Sequence, residues 1–225
     1  MSDPFDLRDF PGVARLFPLP NLVLFPHIVQ PLHIFEPRYR AMTRDALAGD
    51  RLIALVLLKP GWEQDYEGRP AVYEVACLGR IIQEQRLPDG KFNLALQGLC
   101  RLRLEGEVED DKPYRTARAR PLPDPDDDPP ELHRLLRETV GAWFASLGIL
   151  GGHFEALVKT PQPVGALCDL LAYTLPLALE VKQALLEECD VEQRVRRLVH
   201  ELQITPTPEL PTGPRRPYPP EFSPN

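Results

Sequence analysis

Residues 123–130 read PDPDDDPP, and no other run in the chain constrains the fold as strongly. Proline fixes φ and donates no backbone hydrogen bond, while a row of aspartates is strongly solvated. Such a run extends neither a helix nor a strand and builds no core. It is expected to be an exposed hinge dividing the chain into two parts that fold by different rules. The aspartates around Asp126 also offer oxygens to a cation, but no opposing ligand set is visible, so the solvated linker is preferred.

Upstream of the run, residues 13–122 read as a β lobe. Residues 14–17 and 31–35 are short extended pieces, and residues 52–58 form an unbroken aliphatic run, the pattern of a strand buried on both faces. Residues 74–86 and 91–104 flank Leu87-Pro88-Asp89-Gly90, where Asp-Gly supplies the φ > 0 positions of a tight turn, so a long hairpin is expected. In its second arm the alternation of Leu94 and Leu96 changes phase at Gly98, which predicts a bulge. Residues 114–120 read as a closing strand. One helix interrupts the lobe, with Pro37 in its first turn, Tyr39, Met42 and Ala46 on one face, and Gly49 at its end.

Downstream, residues 131–204 read as helical. Leu132, Leu135, Leu136 and Trp143 share a face, residues 164–174 and 177–189 give two more helices, and Asp190 with Gln193 starts a fourth. Residues 1–12 form an N-terminal arm with no apolar run and so no secretory signal, and residues 205–225 read as a disordered proline-rich tail. The whole is expected to be α+β.

The net charge of −7 argues against nucleic acid as the default partner, because phosphate binding needs a concentrated basic face. Cys77, Cys100, Cys168 and Cys189 show no CxxC spacing and sit among apolar residues, as free thiols in a reducing compartment do. No aliphatic run approaches the length needed to span a bilayer. A cytoplasmic protein without a membrane partner is the expectation.

Leu16-Phe17-Pro18-Leu19, Leu24-Phe25-Pro26 and the run from Pro31 through Phe35-Glu36-Pro37-Arg38-Tyr39 to Arg40 resemble the opening of the Lon protease N-terminal, substrate-binding domain family. Gly79-Arg80-Ile81, Gly98-Leu99-Cys100-Arg101 and the later helices are similar in the same order, so the likeness covers about residues 13–204. The resemblance implies a PUA-like β-barrel lobe with one inserted helix, followed by a helical-bundle lobe. It implies a module that binds unfolded or tagged polypeptides, as an adaptor for a separate Lon-type protease or as a chaperone-like binder. It also marks Phe35, Glu36, Pro37, Tyr39, Gly98 and Arg101 as motif residues. The Lon ATPase and Ser-Lys peptidase are not expected here: no GxxxxGK[ST] string occurs, and Ser2, Ser146 and Ser223 lie in settings unlike a nucleophile's. No catalytic residue, cofactor or metal is therefore assigned.

Several residues are weighed as sites. Trp62 and Tyr66 place two aromatics in a polar loop, and with Arg38 they form the tentative substrate-binding set; the alternative is that they cover a barrel end. Binding is expected in an apolar groove between the lobes or at the Trp62 loop. Glu36 and Tyr39 read better as a helix N-terminus and a core side chain than as a peptide site. His27, His33 and Glu36 do not share a face, which argues against a metal. Arg101, Arg103, Arg115, Arg118 and Arg120 would support RNA binding only if they form one stripe, and Glu105, Glu107 and Glu109 interleave with them. The PxxP spacing around Arg215 and Arg216 suits SH3-like recognition, though an unpartnered tail is preferred. An enzyme of unrecognised chemistry would need a convergent polar cluster that the sequence does not display.

Overall fold

The computed structural model describes residues 6–65, 68–125, 128–146 and 161–204. Tyr66, Asp126 and the tail with Arg215 and Arg216 lie outside the described residues.

The β lobe is built from β1 (Val13–Leu19), β2 (Val29–Ile34), β3 (Leu52–Leu57), β4 (Val75–Arg86), β5 (Phe92–Val108) and β6 (Thr116–Leu122). Their order is β2-β5-β4-β3-β1-β6, and β5 also pairs with β6. That last pairing closes β1, β3, β4, β5 and β6 into a barrel, with β2 lying outside it as an edge strand on β5. The 17-residue β5 serves three neighbours: its first half pairs with β2, its second half with β6, and β4 runs along most of it. A strand this long must bend to do so. The register shifts opposite Gly98, where Leu78 faces Cys100 and Gly79 faces Gly98, and shifts again at Gly106, whose φ is 142°. Gly98 is also a close-approach position, since a Cβ there would lie 2.1 Å from the Phe25 carbonyl oxygen.

Alternation sorts the strand side chains into two cores. Ala14, Leu16, Leu52, Ala54, Val56, Ala76, Leu78, Cys100, Leu102, Ala117 and Ala119 fill the barrel, and the many small ones suit its narrow bore. The opposite faces carry Phe17, Ile53, Leu55, Leu57, Val75 and Cys77 into a second core. β3 is buried at every position because it faces the barrel interior on one side and this outer core on the other. Helix α1 (Pro37–Leu47) packs Tyr39, Met42 and Ala46 into the outer core. Glu36 stands at its N-cap without accepting a capping hydrogen bond from the helix backbone; its carboxylate pairs instead with the Arg38 side chain at 2.9 Å. Phe35 is 54% exposed and stacks near His33, so it is a surface residue.

The helical lobe consists of α2 (Pro130–Ser146), α3 (Val164–Thr174), α4 (Leu179–Glu187) and α5 (Val191–Ile204). Leu132, Leu136, Val140 and Trp143 of α2 meet Val195, Leu198, Val199 and Leu202 of α5. Asp190 Oδ1 accepts from Gln193 N at 3.0 Å, the expected N-terminal cap of α5. Asp128 Oδ1 accepts from Val164 N at 2.7 Å and so holds the start of α3.

The helices do not form a separate core. Their apolar faces belong to the same cluster as the outer face of the barrel. At the junction sits a buried ionic network. Arg101 on β5 is 1% exposed and donates to both Asp169 oxygens, at 2.6 and 2.9 Å, and to the Leu186 carbonyl at 2.9 Å. Arg194 of α5 donates to Asp124 at 2.5 and 3.1 Å, and Asp124 also lies 3.3 Å from Arg101. Burial disfavours the Arg101 charge, but the charge and hydrogen bonds of Asp169, with Asp124 behind, hold its pKa above the ordinary guanidinium value. Asp124 is thus an ionic tie between lobes, unlike the fully solvated acid that its proline-rich surroundings suggest. The expected apolar groove between the lobes is replaced, across this junction, by shared core and ion pairs.

Candidate binding pocket

Where the loop after β3 meets the start of α1, the barrel end carries a pocket of about 380 Å³. It is lined by Pro18 from β1, Arg38 and Tyr39 from α1, Gly68 and Arg69 from the loop, and the run Lys112, Pro113, Tyr114 and Arg115 that leads into β6. Each element is there for a local reason. Tyr39 is 5% exposed and packs its ring 4.6 Å from Phe17, which anchors the first turn of α1. The Arg38 guanidinium stacks over that ring at 4.8 Å, a cation–π contact. The loop folds back on the barrel because Lys59 N donates to Ala71 O at 2.8 Å and Arg115 Nη1 donates to Pro70 O at 2.7 Å. Trp62 opens a single 3-10 turn, Trp62–Asp65, and is half-buried.

Four cations line the pocket, and their acids stand outside the lining. Arg38 pairs with Glu36, Arg115 with Glu107, and Arg69 reaches the same Glu107 at 3.4 Å. Lys112 donates to Asp45 at 2.7 Å, and the Tyr114 hydroxyl donates to the same carboxylate oxygen at 2.6 Å. The Lys112 hydrogen bond, followed by that of Tyr114, holds the Asp45 carboxyl below the usual carboxylate range. Asp45 in turn raises Lys112, while burial and then Asp45 raise the Tyr114 phenol. Lys112 and Tyr114 form a ridge, and beyond it lies a second depression of about 540 Å³ carrying Asp45, Asp50 and Asp110 together with Arg15.

The tentative set of Arg38, Trp62 and Tyr66 is therefore partly gathered. Arg38 lines the pocket, Trp62 lies on the loop that supplies Gly68 and Arg69, and Tyr66 falls outside the described residues. Sequence reasoning missed Arg69, Lys112 and Tyr114. The signal was the cation–Pro–aromatic–cation run at 112–115, of which only Arg115 was singled out, as part of an arginine set. That set does not form a stripe: Arg101 is buried at the lobe junction, Arg115 faces Glu107, Arg103 faces Glu74, and Arg120 faces Glu105. The His27, His33 and Glu36 trio is dispersed too: His33 Nδ1 bonds Asn93 at 2.7 Å and Glu36 pairs with Arg38. Among the described residues no group of three His, Cys, Asp or Glu side chains is arranged to hold a metal, and no helix is long and apolar enough to cross a membrane.

A small barrel with an inserted helix, fused through a common core to a helical bundle and bearing a cationic and aromatic pocket on the barrel end, has the make-up of a binding domain. Residues 13–203 match the family model described as the ATP-dependent protease La (Lon) substrate-binding domain, and the chain belongs to that family. The chain is 30% identical over 190 residues to Lon protease 1 of Thermus thermophilus, covering 82% of this chain and 24% of that protein. Lon protease 2 of Myxococcus xanthus is also 30% identical, over 203 residues, with 87% and 24% covered. The chain thus spans about a quarter of the length of these relatives. Among solved structures, a Lon N-terminal domain protein from Xanthomonas campestris superposes with a TM-score of 0.61 at 25% identity, covering 84% of this chain and 97% of that one. The N-terminal domain of the Mycobacterium avium complex Lon protease has the same fold, with a TM-score of 0.65 at 18% identity, covering 85% and 98%.

Proposed function

We propose that the chain binds polypeptide segments without chemical change, as a recognition module for unfolded or tagged proteins in the cytoplasm. One observation carries the reading: the match to a substrate-binding domain runs through both lobes, from residue 13 to residue 203. The barrel-end pocket is the contact surface assigned to it, with Arg38 in its lining and Trp62 on the loop that supplies Gly68 and Arg69. In this role the protein acts as an adaptor that hands clients to a separate Lon-type protease, or holds them as a chaperone does. It performs no catalysis of its own in this reading, which needs neither cofactor nor metal.

The test is fluorescence anisotropy of the full chain against a labelled protein unfolded by reduction and carboxymethylation, with its native form as control. Binding of the unfolded form alone, weakened by Trp62→Ala, is the expected result. Equal retention of both forms, or of neither, refutes the reading. Parallel assays with casein and ATP should detect no turnover, and clear hydrolysis of either would overturn the non-catalytic assignment.

A further inference from the structure

We infer that the barrel-end pocket is a carboxylate receptor. It takes the anionic groups of a polypeptide client, either the α-carboxylate at a chain end or an acidic side chain. The inference rests on the polypeptide-binding reading above and adds the chemistry of the contact.

Three features of the pocket lead there. The first is the sign of its lining. Arg38, Arg69, Lys112 and Arg115 surround about 380 Å³ with no acid among the described lining residues, on a chain whose net charge is −7. Glu36, Asp45 and Glu107 pair with these cations from behind the lining, and Asp65 and Asp110 accept from the backbone N–H groups of Arg69 and Lys112, so the positive sign belongs to the lining surface and not to an excess of cations around it. The second is donor capacity. The Lys112 ammonium has three N–H donors and gives one to Asp45. Arg69 meets Glu107 only through Nη1, at 3.4 Å, and its side chain is 52% exposed, so most of its donor fork faces outward. A guanidinium fork matches the two oxygens of a carboxylate. The third is rigidity. The Arg115 side chain is 10% exposed and held by Glu107 and the Pro70 carbonyl, so one positive charge stays in place at the wall where solvent screening is weakest.

Position is set as well as sign. Across the Lys112–Tyr114 ridge, the adjoining depression presents Asp45, Asp50 and Asp110, which repel an anion. The ridge pair of Lys112 and Asp45 is itself exposed, at 49% and 38% of the two side chains. Exposed pairs of this kind are weak, so an arriving carboxylate replaces a partner of Lys112 at little cost.

The test uses the full chain and a short labelled peptide of otherwise uncharged residues that ends in glutamate with a free C-terminus. Its analogue ends in glutamine amide, and a third peptide ending in glutamate amide, which keeps only the side-chain carboxylate, separates the two sources. The acidic peptide should bind at least about tenfold more tightly than the glutamine amide, the low end for one charged hydrogen bond, and added salt should narrow the gap. In Arg69→Gln/Lys112→Gln all three peptides should bind with the weaker affinity. Both side chains are exposed, and an unchanged melting curve would show that the fold is intact. Equal binding of the first two peptides to the wild-type chain, or a preference that survives in the double variant, overturns the inference while leaving polypeptide binding in place. If inorganic phosphate binds and no peptide does, the polypeptide reading falls with it.

Discussion

Replacing Asp169 with asparagine keeps the side chain's shape and removes one charge from the junction between the lobes. Asp169 and Arg194 are fully buried and Arg101 is 1% exposed, so the change leaves two guanidinium groups facing a single carboxylate, that of Asp124. The asparagine oxygen accepts one of the two Arg101 hydrogen bonds, but its amide nitrogen meets the other donor head-on. Breaking a buried pair from one side costs about 3–5 kcal/mol, because the remaining charge has lost both water and partner. Against a total stability of roughly 5–15 kcal/mol for a folded domain, that is a large fraction. For a body of this size it corresponds to a fall in Tm of roughly 6–20 °C. Urea denaturation followed by circular dichroism measures the change, and the two lobes should melt together because they share a core. A companion variant, Arg101→Met/Asp169→Leu, removes both buried partners and should cost less than Asp169→Asn alone. A loss below about 1 kcal/mol for Asp169→Asn would refute the argument that this network holds the lobes together.

Other expectations follow from single sites. Gly98→Ala forces a Cβ to within 2.1 Å of the Phe25 carbonyl, backbone against backbone, and should cost ~3 kcal/mol or more by the same denaturation assay. The folded-state pKa of Asp45 is depressed, so its contribution to stability is complete above the unfolded carboxylate value near pH 4 and is lost as pH falls through the lower folded value. Asp45→Asn should therefore flatten the acid limb of a stability–pH curve below about pH 4 and leave its neutral limb parallel to wild type. Burial pushes the Cys100 and Cys168 thiols up to about 12 and the Cys77 thiol well above its ordinary value, whereas Cys189 is only partly buried. Ellman's reagent should thus find one fast thiol per native chain, removed by Cys189→Ser, and all four after unfolding.

Much of this architecture is legible in the sequence alone. The aliphatic run at 52–58 identified a strand buried on both sides, the Asp89-Gly90 turn placed the long hairpin, and the phase change at Gly98 marked the bulge. Local chemistry sufficed there, since alternation, turn geometry and capping act over a few residues. The helix starting at Pro37 and the cap at Asp190 were readable for the same reason. Trp62 stands out as an aromatic in a polar loop, and Arg38 as one of a charged pair beside aromatics.

What the sequence left open depends on residues far apart. Arg101, Asp124, Asp169 and Arg194 form one network across β5, the proline-rich segment, α3 and α5. Asp169 carried a hint, as a lone acid within the apolar helix Val164–Thr174. Nothing local names its partner, because a buried charge is neutralised by whatever the fold brings beside it. The pocket is similar. Residues 38, 69 and 112–115 converge only because β5 bends and pairs with β6, closing the barrel and bringing the 112–115 run beside the 59–71 loop and the start of α1. Short-range patterning thus determined which segments are strands and helices. Closure of the barrel, and the burial that came with it, decided which charges meet.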